Sequence, residues 1–382
     1  MKQREHAACS SVDDDGRQMA RRTLQRASFR PVLLPTMARL RGWVSHHRYL
    51  AVAIGLSALL VGYLGYHGVR AWLAWRDIDR VSFDIVASRE ALAEVTTTTT
   101  ADVSASTIPV SPVDPLVDSN MDAYLVIGSD EDKNKDPGVQ ERIYGDAILL
   151  YLVPAEASPA LVSLPRDLLV TNPCSGRLAK LDSMLAGCGS LVSGPELLAI
   201  AVEDFTGIGM DHFAVISFGG FVDVIDGLGG VDLCVPRALR DSPTGDLLPA
   251  GCSRADGAVT LRYVRSRSTL EFVDGEWRAM AGVSDLTRVQ RQQDVLFALL
   301  ARAKTLRSPG SLTDLVASLD DGAVVLDESL SMTEAIGLAW ELRSTPAASI
   351  RRIVLPVEPT VTLDGRYAVR ATRTMLEVLA ES

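Results

Sequence analysis

The chain has 382 residues, room for one large domain or two small ones, and 47% of them are hydrophobic, which allows a sizeable core. Its formal net charge is −10, unevenly spread: residues 1–48 carry ten Lys/Arg and four Asp/Glu, net +6, which leaves −16 for the rest (−10 less +6). An acidic body lacks the cationic footprint that nucleic acid requires, so no nucleic-acid partner is expected. Residues 1–48 show little apolar periodicity and read as a largely disordered basic tail resting on anionic lipid. Tyr49–Val69 then contains no Asp, Glu, Lys or Arg. A bilayer core of ~30 Å needs about 20 helical residues, so this stretch is long enough to span. Arg39, Arg41 and Arg48 lie just before it, which puts the amino side in the cytoplasm. The preceding 48 residues are too long for the n-region of a cleaved signal, so residues 49–69 read as a retained single-pass anchor with the bulk of the protein outside the cell membrane. Residues 70–115 read as a juxtamembrane segment, partly helical or extended over Arg70–Val95, and then a Thr/Ser/Pro-rich linker that lifts the outer domain away from the bilayer.

The outer domain is expected over residues 116–382. From Met121 the pattern alternates strands with helices. Strands are expected at Ala123–Ile127, Ala147–Val153 and Ala160–Leu164; the second is a continuous apolar run, as in a strand buried on both faces. Gly194–Thr206 reads as a helix with Pro195 near its start, followed by strand Phe213–Ser217, helix Phe218–Leu228 and strand Val231–Val235. Helices are expected at Asp256–Val264 and Leu286–Lys304, the latter capped by Ser284 or Asp285. Helix Ser311–Leu319, strand Ala323–Leu326, helix Met332–Leu342, strand Ile350–Leu355 and helix Tyr367–Leu379 complete the series. The fold class is α/β: a three-layer sandwich with a central mixed sheet and helices on both faces, preceded by one transmembrane helix.

Cysteine usage fits an outer domain in an oxidising compartment. Cys9 falls in the tail; Cys174 and Cys188 are close in sequence, as are Cys234 and Cys252. Disulfides Cys174–Cys188 and Cys234–Cys252 are expected, each closing a short loop worth on the order of 3 kcal/mol in the chain-entropy model.

The densest chemistry lies between Arg262 and Gln293, with Arg262, Arg265, Arg267, Arg288, Arg291, Gln292 and Gln293. Guanidinium forks match phosphate oxygens two at a time and stay charged at any relevant pH. Arg288, Arg291 and Gln292 fall at i, i+3 and i+4 on one helix face. Arginines in the first turns oppose the helix dipole, so they suit phosphate better than they suit the helix; the alternative is a solvated face paired with Asp285 and Asp294. Asp130, Asp146 and Asp167 sit at or near strand ends. Asp130 and Asp146 meet if their strands are antiparallel neighbours, and such a pair suits Mg²⁺, which takes oxygen ligands and shares substrate phosphates. Arg166 and Lys180 add two more cations. His212, beside an apolar run, is read as structural. No G-x-x-x-x-G-K-[ST], G-x-S-x-G or H-E-x-x-H motif is present.

The order of YLVIGSD (124–130), GDAILLY (145–151), VSLPRD (162–167), AKLDSML (179–185), GLGGVDLCVP (227–236), LPAGC (248–252), RYVRSR (262–267) and DLTRVQRQQ (285–293) resembles the LytR-CpsA-Psr (LCP) family of cell-wall ligases. The resemblance implies a membrane-anchored phosphotransferase that moves a glycopolymer from a polyprenyl-pyrophosphate carrier to peptidoglycan. It places the metal, Mg²⁺ or Mn²⁺, on Asp130 and Asp146. It places pyrophosphate-binding and catalytic roles on Arg166, Arg265, Arg267 and Arg288, with Gln292 and Lys180 as further contacts; Arg262 and Arg291 join the substrate-binding set. Asp167 is the candidate general base. An apolar groove among the helices is expected for the prenyl tail. Three features depart from the family: Tyr144 stands where an arginine is usual, Glu131-Asp132-Lys133 follows the GSD, and the loop Ser268–Val283 is long. Tyr144 motivates the alternative, a catalytically weak relative that binds the carrier lipid or a wall polymer.

Overall fold

A computed structural model describes residues 36–99, 121–130, 144–280, 285–319, 322–362 and 364–381. Most of the expected basic tail, most of the Thr/Ser/Pro-rich linker and the stretch 131–143 lie outside the described residues. The chain divides into two units, Met1–Val61 and Gly62–Ser382. Helix α1 (Thr36–Asp77) begins in the first, inside the segment read as tail. From Arg48 to Asp77 it is long enough to cross a membrane and has a mean hydropathy of 1.7, with none of its apolar window buried.

In the second unit Ile78 alone separates α1 from strand β1 (Asp79–Val81), and helix α2 (Ile85–Thr99) follows. β1 is an edge strand of the central sheet. Trp75 packs with Ile78, Val324, Leu326 and Leu330, while Arg70 reaches Asp314 at 3.3 Å. The domain therefore begins far upstream of residue 116.

The remaining elements are β2 (Met121–Ser129), β3 (Gly145–Pro154), β4 (Ala160–Leu164), β5 (Leu169–Thr171), β6 (Leu178–Lys180), a 3₁₀ turn (Leu181–Ala186), α3 (Gly194–Thr206), β7 (His212–Ser217), α4 (Phe218–Gly227), β8 (Val231–Val235), β9 (Leu239–Asp241), β10 (Gly245–Leu248) and β11 (Gly251–Ala255). After them come α5 (Gly257–Arg265), β12 (Thr269–Val273), β13 (Glu276–Ala279), α6 (Asp285–Ala303), α7 (Pro309–Ala317), β14 (Val324–Asp327), α8 (Met332–Ser344), β15 (Arg351–Val354), β16 (Val357–Val361), β17 (Tyr367–Ala371) and α9 (Met375–Glu381).

Seven strands form the central sheet in the order β1-β14-β7-β2-β3-β4-β15. β2 runs parallel to β7 and antiparallel to β3, which runs antiparallel to β4; β15 runs parallel to β4. The carboxyl ends of β2, β4, β7 and β15 thus share one edge with the amino end of β3. β2 alternates between the two faces. Leu125 and Ile127 pack with Leu198, Ile200 and Val202 of α3, and Tyr124 and Val126 pack with Phe297 of α6 and Leu338 of α8. β4 is buried along its whole length. Ser193 begins α3 with a capping box to Glu196, and Gly207 ends it in a left-handed conformation.

Both expected disulfides are present. Cys174–Cys188 ties the β5–β6 hairpin to the loop before α3. Cys234–Cys252 joins directly opposed residues of β8 and β11.

Two stretches differ from the sequence reading. Tyr367–Leu379 is not one helix: Tyr367–Ala371 pairs antiparallel with β16, turning at Gly365 (φ 78°), and only Met375–Glu381 is helical. Inside the long loop Ser268–Val283, β12 and β13 form a hairpin. It turns at Asp274-Gly275, both at positive φ (52° and 85°), as a two-residue Asp-Gly turn demands.

Candidate active site

Asp130 follows β2. Its Oδ1 accepts from Tyr144 N at 2.8 Å, and its own N–H donates to Tyr144 O at 3.2 Å. Pairing then shifts register: Ser129 faces Gly145 and Gly128 faces Ala147, so Asp146 is the extra residue of a β-bulge. Bulges re-aim side chains. Here the bulge gives Asp146 Oδ1 to Arg166 Nη1, from the turn after β4. The two aspartates stand at the same edge of adjacent antiparallel strands, and each keeps its Oδ2 outside these bonds.

Arg166 also faces Asp167 at 3.7 Å, and Lys180 donates to Asp167 Oδ1 at 2.6 Å. Lys180 ends β6, whose register sets it opposite Leu169 and brings it back onto the Pro165-Arg166-Asp167 turn. Asp182 N bonds Arg166 O at 3.0 Å, which fixes the 3₁₀ turn to the same place. Burial opposes the charge on Arg166, but Asp146 and Asp167 outweigh it and hold the guanidinium above its ordinary pKa. Asp182 is buried and, with Asp167 beside it, its carboxyl is pushed up to about 6 despite Arg166 and Lys180. Asp167, the candidate base from sequence, is held between two cations. Asp182 is the neighbouring carboxyl able to exchange a proton near neutral pH. Sequence reasoning passed over it because its environment comes from a hairpin and a turn distant in the chain.

The arginines divide into two kinds. Arg265 is exposed at the end of α5, with its guanidinium 4.0 Å over the ring of Phe218. Phe218 follows Ser217, which pairs with Ser129, so Arg265 overlies the edge where Asp130 sits. Arg265 and Arg267 are exposed, Arg262 is half-buried, and none has a carboxylate partner among the described residues. The buried Nε of Arg262 and the Oγ of Ser129 have no hydrogen-bond partner there either. Arg288 is buried in the first turns of α6.

Arg291 departs from the expectation of a substrate contact. Its guanidinium donates to Tyr263 O (2.9 Å), Thr269 Oγ1 (2.9 Å), Ser266 O (2.7 Å) and Thr287 O (3.4 Å). Four of its five N–H groups are thereby committed to the protein, and burial lowers its pKa. Its role is to hold the end of α5 against α6. Gln293 likewise ties α6 to the sheet through Ser163 Oγ (2.8 Å) and Ile353 O (3.0 Å). Gln292, half-buried, makes no hydrogen bond among the described residues. Gln293 anchors α6 just before the Arg166 turn, and Arg288 lies five residues earlier, about 7.5 Å along the axis.

His212 is structural, as expected: its Nδ1 meets Asp327 Oδ1 at 3.1 Å and its ring stacks on Tyr124, and the Asp327 bond raises its pKa against burial. A cleft of about 440 Å³ opens near it, lined by Phe83, Asp84, Arg89, Glu203, Met210 and Asp211. Those polar groups are spent on each other and on backbone: Arg89 on Glu203, Glu203 on Met210 N, Asp211 on Ala123 N. The cleft lies at the amino end of β7, opposite the arginine-bearing edge.

Residues 85–381 match the family model described as the LytR_cpsA_psr family. The chain belongs to the LytR-CpsA-Psr family. Among its LCP relatives is the probable cell wall biosynthesis protein LcpB of Corynebacterium glutamicum, 32% identical over 221 residues, or 56% of this chain and 48% of that protein. The chain spans about half the length of the corynebacterial relatives it matches. The polyisoprenyl-teichoic acid–peptidoglycan teichoic acid transferase TagT of Bacillus subtilis is 27% identical over 297 residues, covering 76% of this chain and 80% of that one. A solved LytR-Csp2A-Psr enzyme from Actinomyces oris superposes with a TM-score of 0.56 at 26% identity, over 70% of this chain and 91% of its own.

Among the described residues no cluster of three or more His, Cys, Asp or Glu side chains is placed to cage an ion. The oxygens left on Asp130 and Asp146, beside the unpartnered Ser129 hydroxyl, suit a hard cation that needs few protein ligands and completes its shell with phosphate and water.

Proposed function

We propose that this LCP protein is a single-pass membrane phosphotransferase that moves a glycopolymer from a polyprenyl-pyrophosphate carrier onto peptidoglycan. The observation that supports this reading is the shared sheet edge: Asp130, Asp146, Arg166 and Arg265 come from four separate segments placed at the edge that holds the carboxyl ends of β2, β4 and β7, where open α/β sheets bind ligands. The naming of TagT as a teichoic acid transferase supports the same chemistry.

The pyrophosphate lies across this edge, with Arg265, Arg267, Arg262, Arg288 and Arg166 around its oxygens. A wall hydroxyl attacks the sugar-bearing phosphorus; the bond to the bridging oxygen breaks and polyprenyl monophosphate leaves. Charge spreads over phosphoryl oxygens during this exchange, so fixed guanidinium groups are the main catalytic resource. Mg²⁺ or Mn²⁺ held by Asp130 and Asp146 supplies further charge neutralisation when bound. Asp182 accepts the hydroxyl proton.

The prenyl tail fits the apolar layer between the sheet and helices α6 and α8. α8 contributes no fully buried residue, and the Tyr151 hydroxyl inside this layer has no partner among the described residues. α6 runs from the arginines into this layer through Leu296, Phe297 and Leu300. The arginine excess before the apolar span Tyr49–Val69 supports a cytoplasmic amino terminus, and the two disulfides support an outer location for the domain. The catalytically weak alternative rests on Tyr144, which stands where an arginine is usual; Tyr144 binds Asp130 through its backbone N–H and C=O.

The test is turnover of a polyprenyl-diphosphate-linked saccharide by the full chain in lipid nanodiscs with Mg²⁺, read as polyprenyl monophosphate. Arg265→Ala is expected to abolish it. Absence of turnover by the native chain with either metal sinks the enzymatic reading.

A further inference from the structure

The β12–β13 hairpin lies within Ser268–Val283, and the transfer chemistry makes no use of it. It belongs to a four-stranded sheet ordered β10-β9-β12-β13. One face of this sheet is inward: Leu239, Asp241 and Thr269 are all buried. The register puts Arg240 opposite Leu270, and Phe272 opposite Trp277, on the other face. Phe272 is 44% exposed there, its ring 5.2 Å from that of Trp277. The Arg240 guanidinium lies 4.3 Å over the Trp277 ring and donates to Asp246 at 2.7 Å. A solvated sheet face normally carries polar side chains; this one carries the exposed Phe272 beside a half-buried Trp277, with Arg240 over the indole and Asp246 beyond it.

We propose that this face is a saccharide platform that binds sugar rings of the donor glycopolymer beyond the one joined to phosphate. The inference rests on the donor assignment above. A pyranose presents an apolar C–H face to an aromatic ring and hydroxyls at its rim to charged donors and acceptors, and the Phe272–Trp277 pair with Arg240 and Asp246 supplies both. The donor, rather than the wall acceptor, is indicated by continuity with the phosphate site. β12 starts two residues after Arg267, and its first residue, Thr269, is bonded to Arg291 of α6. Phe272 stands three strand residues further, about 10 Å along the hairpin. A glycan leaving the arginines therefore meets the platform after its first rings.

The experiment uses the full chain in nanodiscs and two donors: undecaprenyl diphosphate bearing one N-acetylglucosamine, and the same lipid bearing four. Trp277→Ala and Phe272→Ala are expected to raise KM for the four-sugar donor roughly 3- to 10-fold, the scale of an aromatic contact. kcat and the one-sugar constants stay unchanged, and Trp277→Phe restores most of the effect. Equal shifts for both donors, or none, overturn the platform. If the native chain turns over neither donor, the transferase reading fails; the platform is then judged by direct binding of free N-acetylglucosamine tetrasaccharide. Binding lost in Trp277→Ala sustains it, and absence of binding by the native chain ends it. If Trp277→Ala instead converts an oligomer to a monomer in sedimentation, the face is a protein interface and the proposal is wrong.

Discussion

Asp146 occupies the extra position of a β-bulge, and Arg166, one strand over, holds its carboxylate. One member of the proposed metal pair and one of the proposed phosphate-binding arginines are therefore in direct contact. Without the bulge, strand alternation would send residue 146 to the other face of the sheet.

Because the two act as a unit, their losses will not add. Arg166→Ala and Asp146→Asn are each expected to lower turnover by about 10²–10³-fold, the scale for removing one preorganised charge from such a site. The double variant falls little further than the worse single one. Initial rates of polyprenyl monophosphate release, measured across a Mg²⁺ titration, check this; additive losses would show the contact to be incidental.

Arg265 and Arg291 are both arginines of the dense stretch, yet they should respond oppositely. Arg265 is exposed with only an aromatic ring beneath it, so Arg265→Ala should abolish turnover and leave the melting temperature nearly unchanged. Arg291→Ala strands three buried acceptors around α5, at a cost of about 3 kcal/mol. In a domain of this size that lowers Tm by roughly 6–12 °C. Differential scanning calorimetry separates the two.

That contrast marks where sequence stops being informative. Arg265 and Arg291 share a residue type and a neighbourhood, and only the fold reveals that one faces solvent while the other is wrapped in carbonyls. Long apolar or strongly periodic runs were legible: Ala160–Leu164 and Gly194–Thr206 have the expected bounds, and both disulfides join the expected cysteines. Short strands were not. β1, β5, β6, β9, β10, β12 and β13 hold three to five residues each, too few to establish a period. Tyr367–Ala371 reads as helix because the run is too short to show a strand period and its partner, β16, holds a proline. The strand-end placement of Asp130, Asp146 and Arg166 was legible, whereas the burial that raises Asp182 comes from segments distant in the chain and was not.

Tyr144 carries a prediction that separates side chain from backbone. Its N–H and C=O bracket Asp130, and its side chain takes no part. Tyr144→Ala and Tyr144→Phe should hold activity within about 3-fold. Tyr144→Pro removes the donor to the Asp130 carboxylate, a charge-assisted bond of about 1.5–3 kcal/mol, and should lower activity by 10-fold or more. A large loss in Tyr144→Ala would show that the ring itself binds substrate.

Asp182 gives the pH dependence. Its folded-state carboxyl is pushed up to about 6, from an ordinary value of 3.8. Between about pH 4 and 6 the folded protein therefore binds a proton that the unfolded chain has released, so stability from this group declines as pH rises through that window. Above it the cost of a buried charge persists, up to about 3 kcal/mol at 1.36 kcal/mol per pKa unit. Asp182→Asn keeps the shape without the charge. It should be more stable than the native protein at pH 7.5, and the difference should vanish near pH 4; urea unfolding at both values tests this. If Asp182 also accepts the attacking hydroxyl's proton, the native rate rises with pH through about 6, and the substitution removes that limb while slowing the plateau by about 10²-fold or more. A variant that keeps the limb would move the proton acceptor to another group.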